Sequence, residues 1–235
     1  MIDNNYNNIG DIFQSLEEKF YINIKNRITH HKIKPGERII DKNIAKELSV
    51  SRSLIRQVLG MLTKEEIVKL IPRKGFYIKE ITKKEVEEIY NVRKILESYA
   101  IGLAIPQING DDFKKMEELF KIAKKDLDKK ETDSFIETDL RMHKLFTDKC
   151  GNDLLKKIIS EYNHRYIFYR IADLAPIERA RKSYFEHYEI FEAAKNRDSK
   201  SASELMVKHI EQCKENIINN FDRYTYGDVN ITENL

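Results

Sequence analysis

Apolar residues recur at helical spacing along most of the chain, with two short alternating stretches near the front. Phe13, Leu16, Phe20, Ile24 and Ile28 fall on one side of a helix expected from about Phe13 to His31. Pro35-Gly36 then fits a tight turn, in which proline fixes the first central dihedral and glycine takes the positive φ. Glu37 to Ile40 reads as a very short strand. Asp41 can cap the next helix, which turns Ile44, Ala45 and Leu48 inward. A second short helix opens at Ser51 and keeps Leu54, Ile55, Val58, Leu59 and Leu62 on one side. Ile67–Leu70 and Gly75–Ile78 read as two strands joined around Pro72-Arg73-Lys74. A pair of short helices meeting at Ser49-Val50, followed by a small hairpin, is the pattern of a winged helix-turn-helix.

The pattern changes at Thr82. Thr82-Lys83-Lys84-Glu85 has the spacing of a capping box. Beyond it the periodicity is helical almost throughout, predicting helices near 83–105, 111–127, 133–149, 152–172, 177–196 and 199–220. Pro106, Gly110, Gly151 and Pro176 punctuate them. The expected fold is therefore a winged helix-turn-helix, α with a small β wing, followed by an all-α antiparallel bundle of about six helices. The expected boundaries are a flexible N-terminus at 1–11, a DNA-binding domain at 12–81, a helical domain at 82–221 and a flexible tail at 222–235.

Charge supports the division. Residues 1–82 carry 15 Lys and Arg against 10 Asp and Glu, whereas the remainder carries 27 against 29. A basic front with a mildly acidic rear suits a nucleic-acid module joined to something else. The two cysteines, Cys150 and Cys213, build no disulfide framework and fit a reducing interior. No apolar run approaches the ~18 residues of a membrane span. The start, MIDNNYNNIGD, lacks a signal-peptide core. The expectation is a cytoplasmic protein with no membrane partner.

The front of the second short helix carries Ser51, Arg52, Ser53, Arg56 and Gln57, donors suited to phosphate oxygens and purine edges. The wing is basic at Lys74, and Gly75 lets backbone approach DNA closely.

The rear half concentrates histidine. Asp139 and His143 are four apart and share a helix face with Phe135 and Phe146. His187 lies among Tyr184, Ile190 and Phe191, and His209 among Leu205, Met206, Ile210 and Cys213. One inward carboxylate and three inward imidazoles would suit Zn²⁺, Ni²⁺, Co²⁺ or Mn²⁺. Core-lining histidines, each satisfied by a hydrogen bond, fit the same spacing. Arg93 has two readings as well: a surface pair with Glu97, or an inward guanidinium for a carboxylate ligand. The chain has no phosphate loop, nucleophile elbow or H-E-x-x-H motif, so no enzyme is expected. The alternatives are a metal-dependent helical enzyme with an accessory DNA-binding domain, and a metal-free helical interaction protein.

PGERI at 35–39, IAKELSVSRSLIRQVLGMLTKEEIV at 44–68 and PRKGFYI at 72–78 together resemble the N-terminal domain of the GntR family of transcriptional regulators. VRKILESYAIGLA at 92–104, ETDLRMHKLFTDKCGN at 137–152 and EHYEIFEAAKNRDSKSASELMVKHI at 186–210 resemble the FCD domain of its FadR-type branch. The resemblance implies a homodimer on an inverted-repeat operator, in most cases a repressor, whose affinity changes when a small organic acid enters the helical domain. It places DNA contacts on Arg38, Lys42, Arg52, Ser53, Arg56 and Gly75. It places a divalent metal, with Zn²⁺ the ion expected on purification and Ni²⁺ or Mn²⁺ the alternatives, on Asp139, His143, His187 and His209. Arg93 matches an arginine near the effector pocket, and six rear helices match the shorter, VanR-like form. The usual S-R-T-P-V-R-E-A-L reads SRSLIRQVL here, with Leu54 for Pro and Gln57 for Glu, and Ser49 replaces the common turn glycine.

Overall fold

The computed structural model describes residues 17–25, 27–28, 35–80 and 82–222, apart from the side chains of 162, 164–168, 171 and 172. The flexible ends expected at 1–11 and after 222, Phe13 and Leu16 of the first helix, His30, His31 and the His164 side chain lie outside this description. The chain forms two compact units, Met1–Glu80 and Ile81–Leu235.

In the first unit, α1 is helical over residues 17–25 and again at 27–28, and it buries Ile24 and Ile28. Strand β1 (Arg38–Ile39), helix α2 (Asp41–Glu47), helix α3 (Arg52–Lys64) and strands β2 (Val68–Ile71) and β3 (Gly75–Ile78) follow. The strands form one antiparallel sheet in the order β1-β3-β2. Its register sets Arg38 opposite Tyr77 and Ile71 opposite Gly75. Ile39, Phe76 and Ile78 of the sheet close over Ile44 of α2 and Ile55, Leu59 and Leu62 of α3. This winged helix presents the polar side of α3 and the β2–β3 wing to solvent.

The turn into α3 carries the expected Ser51 cap and shows what two departures from the usual family pattern, Leu54 and Ser49, do there. Ser51 caps α3 by accepting a hydrogen bond from the Leu54 amide at 3.2 Å. A proline at position 54 could not donate that bond, so the replacement exchanges a fixed φ for a satisfied helix end, worth about 1 kcal/mol. Ser49 sits at φ 54°, in the left-handed region where glycine is free of side-chain strain. Asp41, expected as the α2 cap, is instead the first helical residue after Ile40, which makes no side-chain cap. Its carboxylate is drawn to two guanidinium groups, described below.

The second unit opens at the capping box, where Thr82 and Glu85 each bond the other's backbone amide. Helix α4 (Lys83–Ala104) ends in a single 3-10 turn, Ile105–Gln107, holding Pro106. Helices α5 (Gly110–Asp128), α6 (Asp133–Lys149), α7 (Asp153–Leu174), α8 (Ile177–Lys195) and α9 (Ser199–Asn219) complete a helical bundle. α5 starts with a second capping box, Asn109 with Asp112. α9 packs along α4, and Gly102 leaves the room for this: a Cβ there would stand 3.3 Å from Ser203 Oγ. Phe120 and Phe191, with ring centroids 5.1 Å apart, anchor a core that includes Ile101, Phe135, Met142, Ile190, Met206 and Ile210. Among the described residues, no helix is long and apolar enough to cross a membrane.

A candidate metal centre and a basic groove

Each unit gathers one polar constellation. In the first, a groove between α3 and the wing is lined by Arg38, Lys42, Arg52, Arg56, Lys74 and Gly75. The front of the helix predicts Arg52 and Arg56, and the wing predicts Lys74 and Gly75, while Arg38 and Lys42 are expected from the family resemblance alone. Ser51 at the cap of α3, and Ser53 and Gln57 on it, are exposed but do not line the groove. Gly75 has φ +102°, and the place a Cβ would take lies 3.7 Å from the Arg38 guanidinium. That is ordinary contact, so the positive φ, and not lack of space, is what calls for glycine here. Arg73, at φ 63°, joins the lining and was not anticipated.

The other unanticipated member is Asp41. It is buried, with one carboxylate oxygen 3.0 Å from Arg52 Nε and the other accepting from Arg56 Nη1 at 3.1 Å. Burial pushes the Asp41 carboxyl up, but hydrogen bonds from Arg52 and Arg56 outweigh it and hold the group below its ordinary value. Arg56 also lies over the Phe76 ring, 5.4 Å from its centre. Both arginines are therefore pre-positioned from the inner side while their outer faces stay exposed.

In the second unit, Asp139 and His143 on α6, His187 on α8 and His209 on α9 converge, with one ligand atom of each within 4.8 Å of all the others. All four are buried. His187 Nε2 lies 2.6 Å from Asp139 Oδ1 and 3.2 Å from His143 Nε2. The outer nitrogens decide what this cluster can do. His187 Nδ1 is 2.7 Å from the Ser183 carbonyl, His209 Nδ1 is 2.8 Å from Glu186, and His143 Nδ1 contacts Glu97. An acceptor at each Nδ1 fixes the proton there and leaves each Nε2 lone pair available to a common ion. Asp139 is oriented in turn by Arg170, 2.6 Å away in an ion pair that lies off hydrogen-bond geometry.

Electrostatics favour neutral rings at His143 and His209 and an ionised Asp139. Burial, followed by the Arg170 charge, lowers His143 to about 4 despite Glu97. Burial and the neighbouring His187 and His143 hold His209 well below the usual imidazole range. Burial would raise Asp139, but Arg170 and His187 reverse this and hold it well below the carboxylate range. Neutral imidazoles and a carboxylate are the protonation states a divalent cation requires, so the donor set fits such an ion.

Arg93 is neither surface-exposed nor open-handed. It is 4% exposed, pairs through Nε with the equally buried Glu97, and approaches His143 Nδ1 at 3.4 Å. Of the two readings of Arg93 the surface pair fails and the inward guanidinium stands, already paired with Glu97, because α4 turns this face toward α6. The support from Glu97, Arg170 and Glu186 was not foreseen. The sequence marks Glu97 only as the i+4 partner of Arg93, not as a support for His143, and Arg170 carries no local signal.

With both constellations in view, the comparisons fall into one class. Residues 16–78 match the bacterial regulatory proteins of the gntR family, and residues 88–212 match the FCD domain. The chain is 32% identical over 192 residues to the uncharacterized HTH-type transcriptional regulator YdhC of Bacillus subtilis (strain 168), across 81% of this chain and 86% of YdhC. It is 28% identical over 208 residues to the gluconate operon transcriptional repressor of Bacillus licheniformis, across 85% and 79% of the two chains. Its fold is similar to the solved structure of E. coli McbR/YncC, with a TM-score of 0.77 at 20% identity over 89% of this chain and 98% of that one.

These findings define a bacterial transcriptional regulator with an N-terminal DNA-binding domain. The chain belongs to the GntR family and carries an FCD domain.

Proposed function

We propose that this regulator is a metal-containing, metabolite-responsive repressor, which acts in the cytoplasm as a homodimer on an inverted-repeat operator. The observation that carries the reading is the set of three oriented Nε2 atoms and one carboxylate buried in the helical unit of a DNA-binding regulator. Asp139, His143, His187 and His209 would hold the ion, of the Zn²⁺, Ni²⁺ or Mn²⁺ class. When bound, it would supply an open coordination position for the carboxylate of a small organic acid. No bond need be made or broken. An enzymatic reading would require a general base beside that position; Glu97, the nearest spare carboxylate, is committed to Arg93 and to His143 Nδ1.

Arg93 would meet the acid beside His143, in competition with Glu97 for the same guanidinium. Both residues lie on the helix that follows the capping box at Thr82, where the chain leaves the first unit. An acid that draws Arg93 from Glu97 therefore acts on the first element of the second unit. For this to control transcription, the acid must bind the DNA-competent and DNA-incompetent dimers unequally.

On the DNA side, Arg52 and Arg56 would reach base edges or phosphates, with Ser51, Ser53 and Gln57 beside them. Arg38, Lys42, Lys74 and Gly75 would hold the backbone. Two copies related by a two-fold axis read an inverted repeat. Gel shifts with fragments upstream of the gene, with and without metal and candidate acids, test the reading. Sequence-selective shifts weakened by one acid only in metal-loaded protein are expected. Shifts indifferent to metal removal and to every acid would sink the sensing model, and loss of all selective shifts would sink the DNA model. Expression of the target after gene deletion should rise; a fall would mean activation.

A further inference from the structure

We propose that Glu186, His209 and Cys213 form a second cation site, adjoining the first but distinct from it and suited to thiophilic divalent ions such as Zn²⁺, Cd²⁺ or Co²⁺. The three ligand atoms lie within 4.8 Å of one another. Glu186 Oε2 is 2.8 Å from His209 Nδ1, and Cys213 Sγ is 3.8 Å from the same nitrogen. The sulfur–nitrogen separation is close to that between neighbouring ligands of a tetrahedral ion held at bond lengths of about 2.0–2.3 Å, whereas the 2.8 Å contact is a hydrogen bond that would open by about 0.5 Å around an ion. With both sites filled, His209 would bridge them as an imidazolate, with Nε2 toward the first ion and Nδ1, which carries the proton donated to Glu186 in the ion-free state, toward the second.

The surroundings fit a divalent charge. Arg179 is 3.2 Å from Cys213 Sγ, 3.4 Å from Glu186 Oε1 and 3.2 Å from Asp173 Oδ2. Asp173 balances Arg179, which leaves Glu186 and a Cys213 thiolate as two matched negative charges. Arg179 pairs with Oε1 of Glu186, so Oε2, which accepts from His209 Nδ1–H in the ion-free state, is the oxygen that would turn to the ion. Burial is the opposing effect, since it pushes the Cys213 thiol up to about 12. Coordination overcomes this by exchange: the Sγ–H and His209 Nδ1–H protons both leave to solvent as the sulfur–metal and nitrogen–metal bonds form.

A route to solvent is present. A groove between α8 and α9, rimmed by Lys182, Phe185, Glu189 and Lys208, is also lined by Glu186 and His209. Three protein ligands with a fourth position toward this groove would leave room for water or an exchangeable ligand. The two sites then differ in softness: nitrogen and oxygen donors in the first, and a thiolate in the second. A regulator built this way could distinguish an ion tolerated by the first site from one that also takes sulfur.

The test is a Co²⁺ titration of the reduced, full-length protein, following the thiolate-to-cobalt charge-transfer absorption and counting ions after dialysis. The wild type should show the band, Zn²⁺ and Cd²⁺ should displace it, and Cys213→Ser should lose it while binding one ion fewer per chain. His143→Ala/His187→Ala, which removes the first cluster, should retain the band; single His143→Ala serves if the double variant is unfolded by circular dichroism. Absence of the band in wild type, or its survival in Cys213→Ser, overturns the proposal. Loss of the band in a folded first-cluster variant also overturns it, because the sulfur would then belong to the first ion. Failure of the first site alone would appear differently, as a retained band with no additional ion lost on removing His143 and His187.

Discussion

The Nε2 atoms of His143 and His187 face each other at 3.2 Å, with their outer nitrogens occupied by Glu97 and by the Ser183 carbonyl. Two lone pairs at that distance repel unless a cation lies between them. Metal removal should therefore destabilise the helical unit. Free metal at 100 times its Kd would stabilise the native state by about 2.7 kcal/mol, which chelation would reverse. Differential scanning calorimetry should show a chelator-induced fall in Tm for the wild type and little change for His187→Ala. A chelator-insensitive wild type would contradict the first site.

The metal-free protein should lose stability with acid. His143 is lowered to about 4 and His209 lies in the same direction, both mainly through burial, whereas the unfolded chain titrates near the ordinary value of about 6.5. Between those values the unfolded state binds more protons, so unfolding becomes easier as pH falls from about 6.5 toward 4. The contribution is fully present above that window. Urea midpoints across it, compared with a His143→Gln variant, measure the effect; a midpoint that rises on acidification would contradict the sign.

Arg170 should be costly to remove. It pairs with Asp139 at 2.6 Å with both groups buried, and truncating one partner of a buried pair costs about 3–5 kcal/mol. Arg170→Met should lower the urea midpoint, and Arg170→Met/Asp139→Asn should recover part of the loss. An additive double variant would mean that the two groups do not interact.

Arg52→Ala should cost at least about 1–3 kcal/mol of operator affinity if the guanidinium reads a base. Asp41→Asn should preserve the winged helix but loosen Arg52 and Arg56. The expected readout is a smaller ratio of operator to random-DNA affinity, with random-DNA binding itself equal or stronger. Fluorescence anisotropy on the two duplexes decides it: an unchanged ratio would leave Asp41 a structural role only.

Local pattern carried the architecture far. The Thr82–Glu85 capping box, the α3 stripe of Ile55, Val58, Leu59 and Leu62, and the four inward metal-ligand candidates all follow from i+3 and i+4 spacing, which the backbone enforces. What spacing could not show was pairing across elements. Asp41 read as a helix cap because caps are local, whereas its partners stand 11 and 15 positions away on another helix. Arg170 escaped notice because α7 spreads polar and apolar residues around its axis, so no single stripe marks an inward side. Glu97 looked like half of a surface pair because an i+4 arginine–glutamate spacing is the same on either side of a helix; burial depends on α6, which lies more than 30 residues further along the chain.

The carboxylate behind Arg52 and Arg56 has a consequence for how binding responds to ionic strength. A cation that meets DNA from bulk solvent displaces condensed counterions, and the slope of log K against log salt counts the phosphates neutralised, at about −0.9 each for duplex DNA. Arg52 and Arg56 come with an anion of the protein's own at 3.0 and 3.1 Å. The groove's six cations therefore act as fewer than six neutralising charges. Operator affinity should fall more gently with added salt than the roster of basic side chains suggests, leaving a larger share of recognition to contacts that salt does not screen.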